Sequence, residues 1–138
     1  SLGGSTALGL AGNTCCHDPR VKAAVVLAGG ELLAGAGGFW AKIRTPMLYV
    51  HGNADTIVDY RFGQGAYDHT APPRFLLTIL GGDHGTPYTG DIRNPQAKVV
   101  VDATLDFFGF YLGGDVADLR RLRGDADVAG VSRLASES

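Results

Sequence analysis

Three places in this chain hold side chains suited to nucleophilic chemistry. The first is the opening, SLGGSTALGLA, where Ser1 is followed by Gly3 and Gly4 and then by Ala7 and Ala11. A hydroxyl that must attack a substrate is well presented on a sharp strand-to-helix turn. Such a turn accepts only small residues around the nucleophile, because the helix packs close against the strand. The second place is LYVHGNADTIVDY, an apolar run that ends in a turn bearing Asp55 and Asp59. The third is LLTILGGDHGTPY, where Gly81, Gly82 and Gly85 give the backbone the freedom to swing His84 over the end of a strand. A hydroxyl, a carboxylate and an imidazole in that chain order are the parts of a base-assisted attack on a carbonyl.

Each candidate has a rival. Ser5 also has a glycine two residues before it and an alanine two residues after it, but it would lie one turn inside the helix. Asp59 stands where a helix should begin, which suits a capping carboxylate. His51 reads as a strand-end residue supporting the acid turn, and His69 as an exposed helix end. The glycines of AGGELLAGAGGFW do not follow dinucleotide-binding spacing, so that stretch reads as a loop over the site. Within it, Phe39 and Trp40 either line an acyl pocket or pack against the sheet. Cys15 and Cys16 are the only cysteines. An adjacent pair closes a strained ring, so they read as two small, half-buried thiols, with a bond to an upstream cysteine or a nucleophilic role as alternatives. No second ligand cluster at zinc spacing accompanies His17.

The elements that must position these groups are legible from hydrophobic pattern. VKAAVVLAG, PMLYVHG and RFLLTILGG are continuous rather than alternating apolar runs, as strands covered on both faces are. Helix-length stretches separate them, which is the grammar of a parallel sheet with crossover helices. Asn94 and Pro95 open the clearest helix; Val101, Leu105, Phe108 and Leu112 form its apolar stripe, and Gly113 and Gly114 stop it. A weaker helix runs through DYRFGQGAYDHT, where each glycine costs about 1 kcal/mol against alanine, and it ends before Pro72 and Pro73. A short helix is expected over Asp115 to Arg123, acidic at its start and basic at its end. The expected domain is 1–123, with 124–138 a flexible tail. The first apolar run would be an exposed sheet edge, so a neighbouring strand is expected before residue 1. Ser1 would then fall midway through a motif that has a glycine two positions upstream.

Bulk composition fits one domain: 138 residues, 45% hydrophobic, 19% charged, net charge -2. That charge makes no case for nucleic acid or an anionic membrane as partner. Arg120, Arg121 and Arg123 read as a solvated helix face. No apolar run approaches the roughly eighteen residues of a membrane helix.

SLGGSTALGLA resembles the second half of the G-x-S-x-G nucleophile elbow of the α/β-hydrolase family. LYVHGNADTIVDY resembles its H-G-x-x-D-x-x-V segment, and the family places a histidine after the last strand, as His84 stands here. The resemblance covers about residues 1 to 112 and implies the C-terminal portion of a doubly wound, mostly parallel α/β sheet of about three strands. It makes Ser1 the nucleophile, Asp55 the triad acid and His84 the base, with the amide of Leu2 as one oxyanion donor. The second donor would come from an early strand outside this chain, so the piece alone is expected to be inactive. The implied activity is hydrolysis of small or polymeric carboxylic esters through an acyl-enzyme, without metal or organic cofactor. AGNTCCHDPRVKAAVVLAGG and LGGDHGTPY look most like bacterial esterases of the lipase, cutinase and polyester-hydrolase neighbourhood, which are often secreted. The same triad also cuts amides and peptides. Two readings outside this family are an N-terminal-serine amidohydrolase, which needs a β sandwich, and a non-catalytic hydrolase-like binding module.

Overall fold

The structure, a computed structural model, describes residues 1–30 and 43–138. In chain order the elements are α1 (Leu2–Gly12), β1 (Ala24–Leu27), β2 (Met47–Gly52), α2 (Tyr60–His69) and β3 (Arg74–Ile79), then a 3-10 turn (Thr86–Tyr88), α3 (Pro95–Gly113), α4 (Val116–Asp125) and β4 (Ser132–Glu137). The three continuous apolar runs become β1, β2 and β3, paired in parallel, and β4 joins β3 antiparallel in the order β1-β2-β3-β4. The architecture is α/β and mostly parallel.

All six residues of β2 are buried, which is why its sequence does not alternate. Met47 and Tyr49 face α1 and α2, packing with Leu8, Ala11, Val26 and Ala66. Leu48 and Val50 face α3 and α4 with Phe75, Leu77, Val100, Phe107 and Leu122. Helices thus cover both faces of the sheet, and the carboxyl ends of the parallel strands are left as a rim where side chains can meet.

Caps fix the helix starts as the sequence suggests. The Asn94 side chain accepts from the amides of Gln96 and Ala97 ahead of Pro95, and Gly114 ends α3 in a left-handed conformation at φ 77°. Asp59 caps α2 through the Arg61 amide, and Asp115 caps α4 through the Ala117 amide.

Three expectations change. The buried face of α3 is Ala97, Val99, Val100, Ala103 and Phe107, whereas Leu105 and Leu112 of the expected stripe are 65% and 61% exposed. Small side chains let the helix approach the sheet, so its core face carries less apolar bulk than the neighbouring stripe. Residues 124–138 are not a tail: they finish α4 and form β4. That strand lacks an apolar stripe because it is an edge, with Ser132 buried and Leu134 only partly so. It is fastened by the Ser132 hydroxyl donating to the Ala126 carbonyl at 2.7 Å and by Arg74 pairing with Glu137 at 2.8 Å. Cys15 and Cys16, expected as separate thiols, are joined in a disulfide. They lie in a turn in which Asn13 accepts from the Cys15 amide through its side chain and from the Cys16 and His17 amides through its carbonyl, so the backbone holds the neighbours together. Arg120, Arg121 and Arg123 are exposed, as expected of a solvated helix face, and Arg121 also pairs with Asp106 on α3 at 3.0 Å.

Candidate active site

Ser1 is the N-cap residue of α1. Its hydroxyl makes no capping bond, and its nitrogen lies 3.4 Å from the Leu27 carbonyl, at the carboxyl end of β1. The next amide, that of Leu2, opens the helix, where the first amides have no intrahelical acceptor and the dipole is positive. At the seam between the start of α1 and the end of β1, backbone lies directly on backbone. A Cβ on Gly4 would lie 2.6 Å from the Leu27 carbonyl oxygen, and one on Gly29 would lie 2.7 Å from the carbonyl carbon of Gly4. Gly3, by contrast, has open space around it. The small-residue requirement therefore falls on Gly4.

Ser5 is not a free hydroxyl. It is buried, donates to the Gly30 carbonyl at 2.9 Å and accepts from the Gly30 amide at 3.3 Å. It fastens α1 to the loop after β1.

Asp55 and His84 lie in the turns after β2 and β3. These turns are joined to each other: the Asn53 amide donates to the Ile79 carbonyl, the Ala54 amide to that of Gly82, and the Gly81 amide to the Asn53 side chain at 2.7 Å. Gly52 must be glycine because a Cβ there would run into the Gly82 carbonyl, and Gly81 sits at φ 65°, which glycine adopts without strain. The consequence is a short bond, 2.7 Å from His84 Nδ1 to Asp55 Oδ2. The Asp55 side chain is fully buried and that of His84 is 24% exposed.

Burial pushes the Asp55 carboxyl up, but the Val58 amide, His84 and the Ile57 amide together outweigh it and hold the group below its ordinary value. The two amides reach Oδ1 at 2.9 and 2.8 Å. Asp55 is therefore a carboxylate at neutral pH. It accepts, so the Nδ1 of His84 carries the proton and Nε2 is left with the lone pair.

Three supporting residues went unnoticed in the sequence. Asn53 bridges the two turns as described. Asp83 accepts from the Gly85 and Thr86 amides at 2.8 and 2.6 Å, shaping the loop just after His84, and these bonds hold its carboxyl below the usual range. Tyr88 accepts from the Gly52 amide at 3.2 Å and donates to the Val50 carbonyl at 3.4 Å; burial pushes its phenol well up. The acidic residue before the glycine in DHGTPY was a signal for such a side-chain-to-backbone turn.

The structure thus brings Asp55 and His84 into contact and puts Ser1 at the end of the strand next to the one that carries Asp55. Ser1 and His84 make no direct hydrogen bond among the described residues. Asp59 is a cap and His69 an exposed helix end, while Phe39 and Trp40 lie outside the described residues. No group of three or more histidine, cysteine or acidic side chains poised for a metal occurs among the described residues.

No curated protein matches the chain. The family model described as "Serine hydrolase (FSH1)" matches residues 4–96, from α1 to the start of α3, a span that includes Asp55 and His84 and begins after Ser1. The sheet is consistent with part of an α/β-hydrolase fold, and with more than half its length matched, the chain belongs to the FSH1 serine hydrolase family.

Proposed function

We propose that the chain carries a Ser-His-Asp triad, Ser1, His84 and Asp55, that hydrolyses carboxylic esters. The observation that supports this most is the 2.7 Å bond between His84 and a buried, ionised Asp55, which fixes the imidazole tautomer that a general base needs. In the reaction, Nε2 of His84 takes the Ser1 proton as the hydroxyl oxygen bonds to the ester carbonyl carbon. The negative oxygen of the tetrahedral intermediate faces the Leu2 amide and the start of α1. Collapse breaks the carbon–oxygen bond to the alcohol, which leaves with the proton from His84. Water, deprotonated by the same nitrogen, then releases the acid and restores Ser1. Asp55 stabilises the imidazolium and stays ionised throughout. The resemblance of AGNTCCHDPRVKAAVVLAGG and LGGDHGTPY to lipases, cutinases and polyester hydrolases supports esters as the substrate class.

The test is reaction of the full-length polypeptide with a fluorophosphonate probe, followed by peptide mapping. An adduct on Ser1 that disappears in Ser1→Ala and in His84→Ala is expected. A folded protein that takes no label, or takes it on another residue, overturns the assignment. Turnover of p-nitrophenyl esters but not of matched anilides would separate esterase from amidase.

A further inference from the structure

A second imidazole lies against the acid. His51, near the end of β2, is 1% exposed, and its Nε2 is 2.9 Å from the Val58 carbonyl oxygen and 3.4 Å from Asp55 Oδ2. Both neighbours accept, so Nε2 carries a proton. The other nitrogen, Nδ1, is buried and has no hydrogen-bond partner among the described residues. Gly63 of α2 walls it in so closely that a Cβ there would collide with it, and the Tyr60 ring stands edge-on at 5.9 Å. A proton on Nδ1 would be a buried donor on a cation with nothing to receive it, which carries the full cost of desolvation. His51 is therefore held as the neutral Nε2–H tautomer, unlike His84, whose proton is on Nδ1.

We propose that His51 is a positioning residue for Asp55: an Nε2–H donor, anchored on the Val58 carbonyl, that holds the carboxylate charged and aimed at His84. The inference rests on the reading of Asp55 and His84 as acid and base. Two routes carry the effect. Directly, the N–H faces the oxygen that His84 uses. Indirectly, it fixes Val58, whose own amide, with that of Ile57, holds the other carboxylate oxygen. Besides His51, the ionisable side chains that face the carboxylate are His84 and Tyr88, with Tyr60 against His51; Asp83 is turned to the Gly85 and Thr86 amides. His51 touches no reacting atom.

Nitrogen-15 NMR of the wild-type histidines at neutral pH is the first test: His51 should show the Nε2–H pattern, with Nδ1 unprotonated. The second is the carboxyl carbon-13 shift of Asp55 in acid, whose midpoint should rise in His51→Leu and return in His51→Gln, because the glutamine amide can replace the Nε2–H. On p-nitrophenyl esters, His51→Leu should lose about tenfold or more in kcat with KM little changed, the scale on which removing a partner that orients a functional ligand acts, and His51→Gln should recover most of it. An Nδ1–H tautomer or an unchanged Asp55 midpoint in His51→Leu overturns the proposal. If His51→Leu does not fold, the wild-type tautomer and a wild-type Asp55 midpoint in His51→Gln decide it. Absence of ester turnover in the full-length wild-type polypeptide would sink the esterase reading alone, since neither NMR measurement depends on activity.

Discussion

His84 and Asp55 are 29 residues apart in sequence, and their side chains meet at 2.7 Å because each ends a turn that is hydrogen-bonded to the other. The bond orients the imidazole rather than merely neutralising it. Asp55→Asn replaces an acceptor with a group that can also donate to Nδ1, which favours the wrong tautomer. On the proposed mechanism, ester turnover should fall by roughly 10⁴ in kcat with little change in KM, as this exchange does in known Ser-His-Asp enzymes. Steady-state kinetics check it, and a fall of less than tenfold would mean that His84 is held by something else.

The same carboxylate makes stability depend on pH. Its folded value lies below the ordinary 3.8, so the unfolded chain binds protons more readily in acid. The stabilisation is complete above the unfolded value and is lost as pH falls through the lower folded one. Denaturant titrations should show Asp55→Asn losing less stability than wild type between neutral pH and about pH 3. Parallel losses in the two proteins would assign the acid sensitivity to other groups.

Two serines near the start of α1 are separable. Ser5→Ala leaves both backbone groups of Gly30 without their partner in a buried site, at about 1–3 kcal/mol in stability, while fluorophosphonate labelling persists. Ser1→Ala should do the reverse, with unchanged melting and no label. Mass spectrometry and thermal melts on the pair distinguish the roles.

Adjacent glycines should respond in opposite directions. Gly3→Ala enters open space on a helix and should stabilise by about 0.5–1 kcal/mol. Gly4→Ala drives a methyl into the Leu27 carbonyl and should cost about 1–3 kcal/mol. Melting temperatures of the two variants, measured together, provide the comparison; equal shifts would contradict the close contact between α1 and β1.

The parallel strands were readable because burial on both faces leaves continuous apolar runs, as in MLYVHG. The approach of Asp55 to His84 was readable because both follow strands into glycine-rich turns. The contribution of β4 was not, since an edge strand with one neighbour needs only Ser132 and Leu134 turned inward. The stripe on α3 misled for a related reason: alanines at the closest approach carry little hydrophobic signal, and bulkier residues on an adjacent face outweigh them. Hydrogen bonds such as those from Asn53 and Tyr88 join segments whose proximity only the folded sheet creates, so no local pattern announces them.

Asp55 and His84 travel as one cassette: the strands that bear them are immediate neighbours, and their turns share the same stitches. The serine belongs to a different unit, joined to the sheet at a place where main chain rests directly on main chain with no side chain between. Tolerance in the alignment of the three groups is therefore concentrated at the glycine contact between α1 and β1. A graft of this chemistry onto another scaffold must move the two turns together and reproduce that one bare crossing.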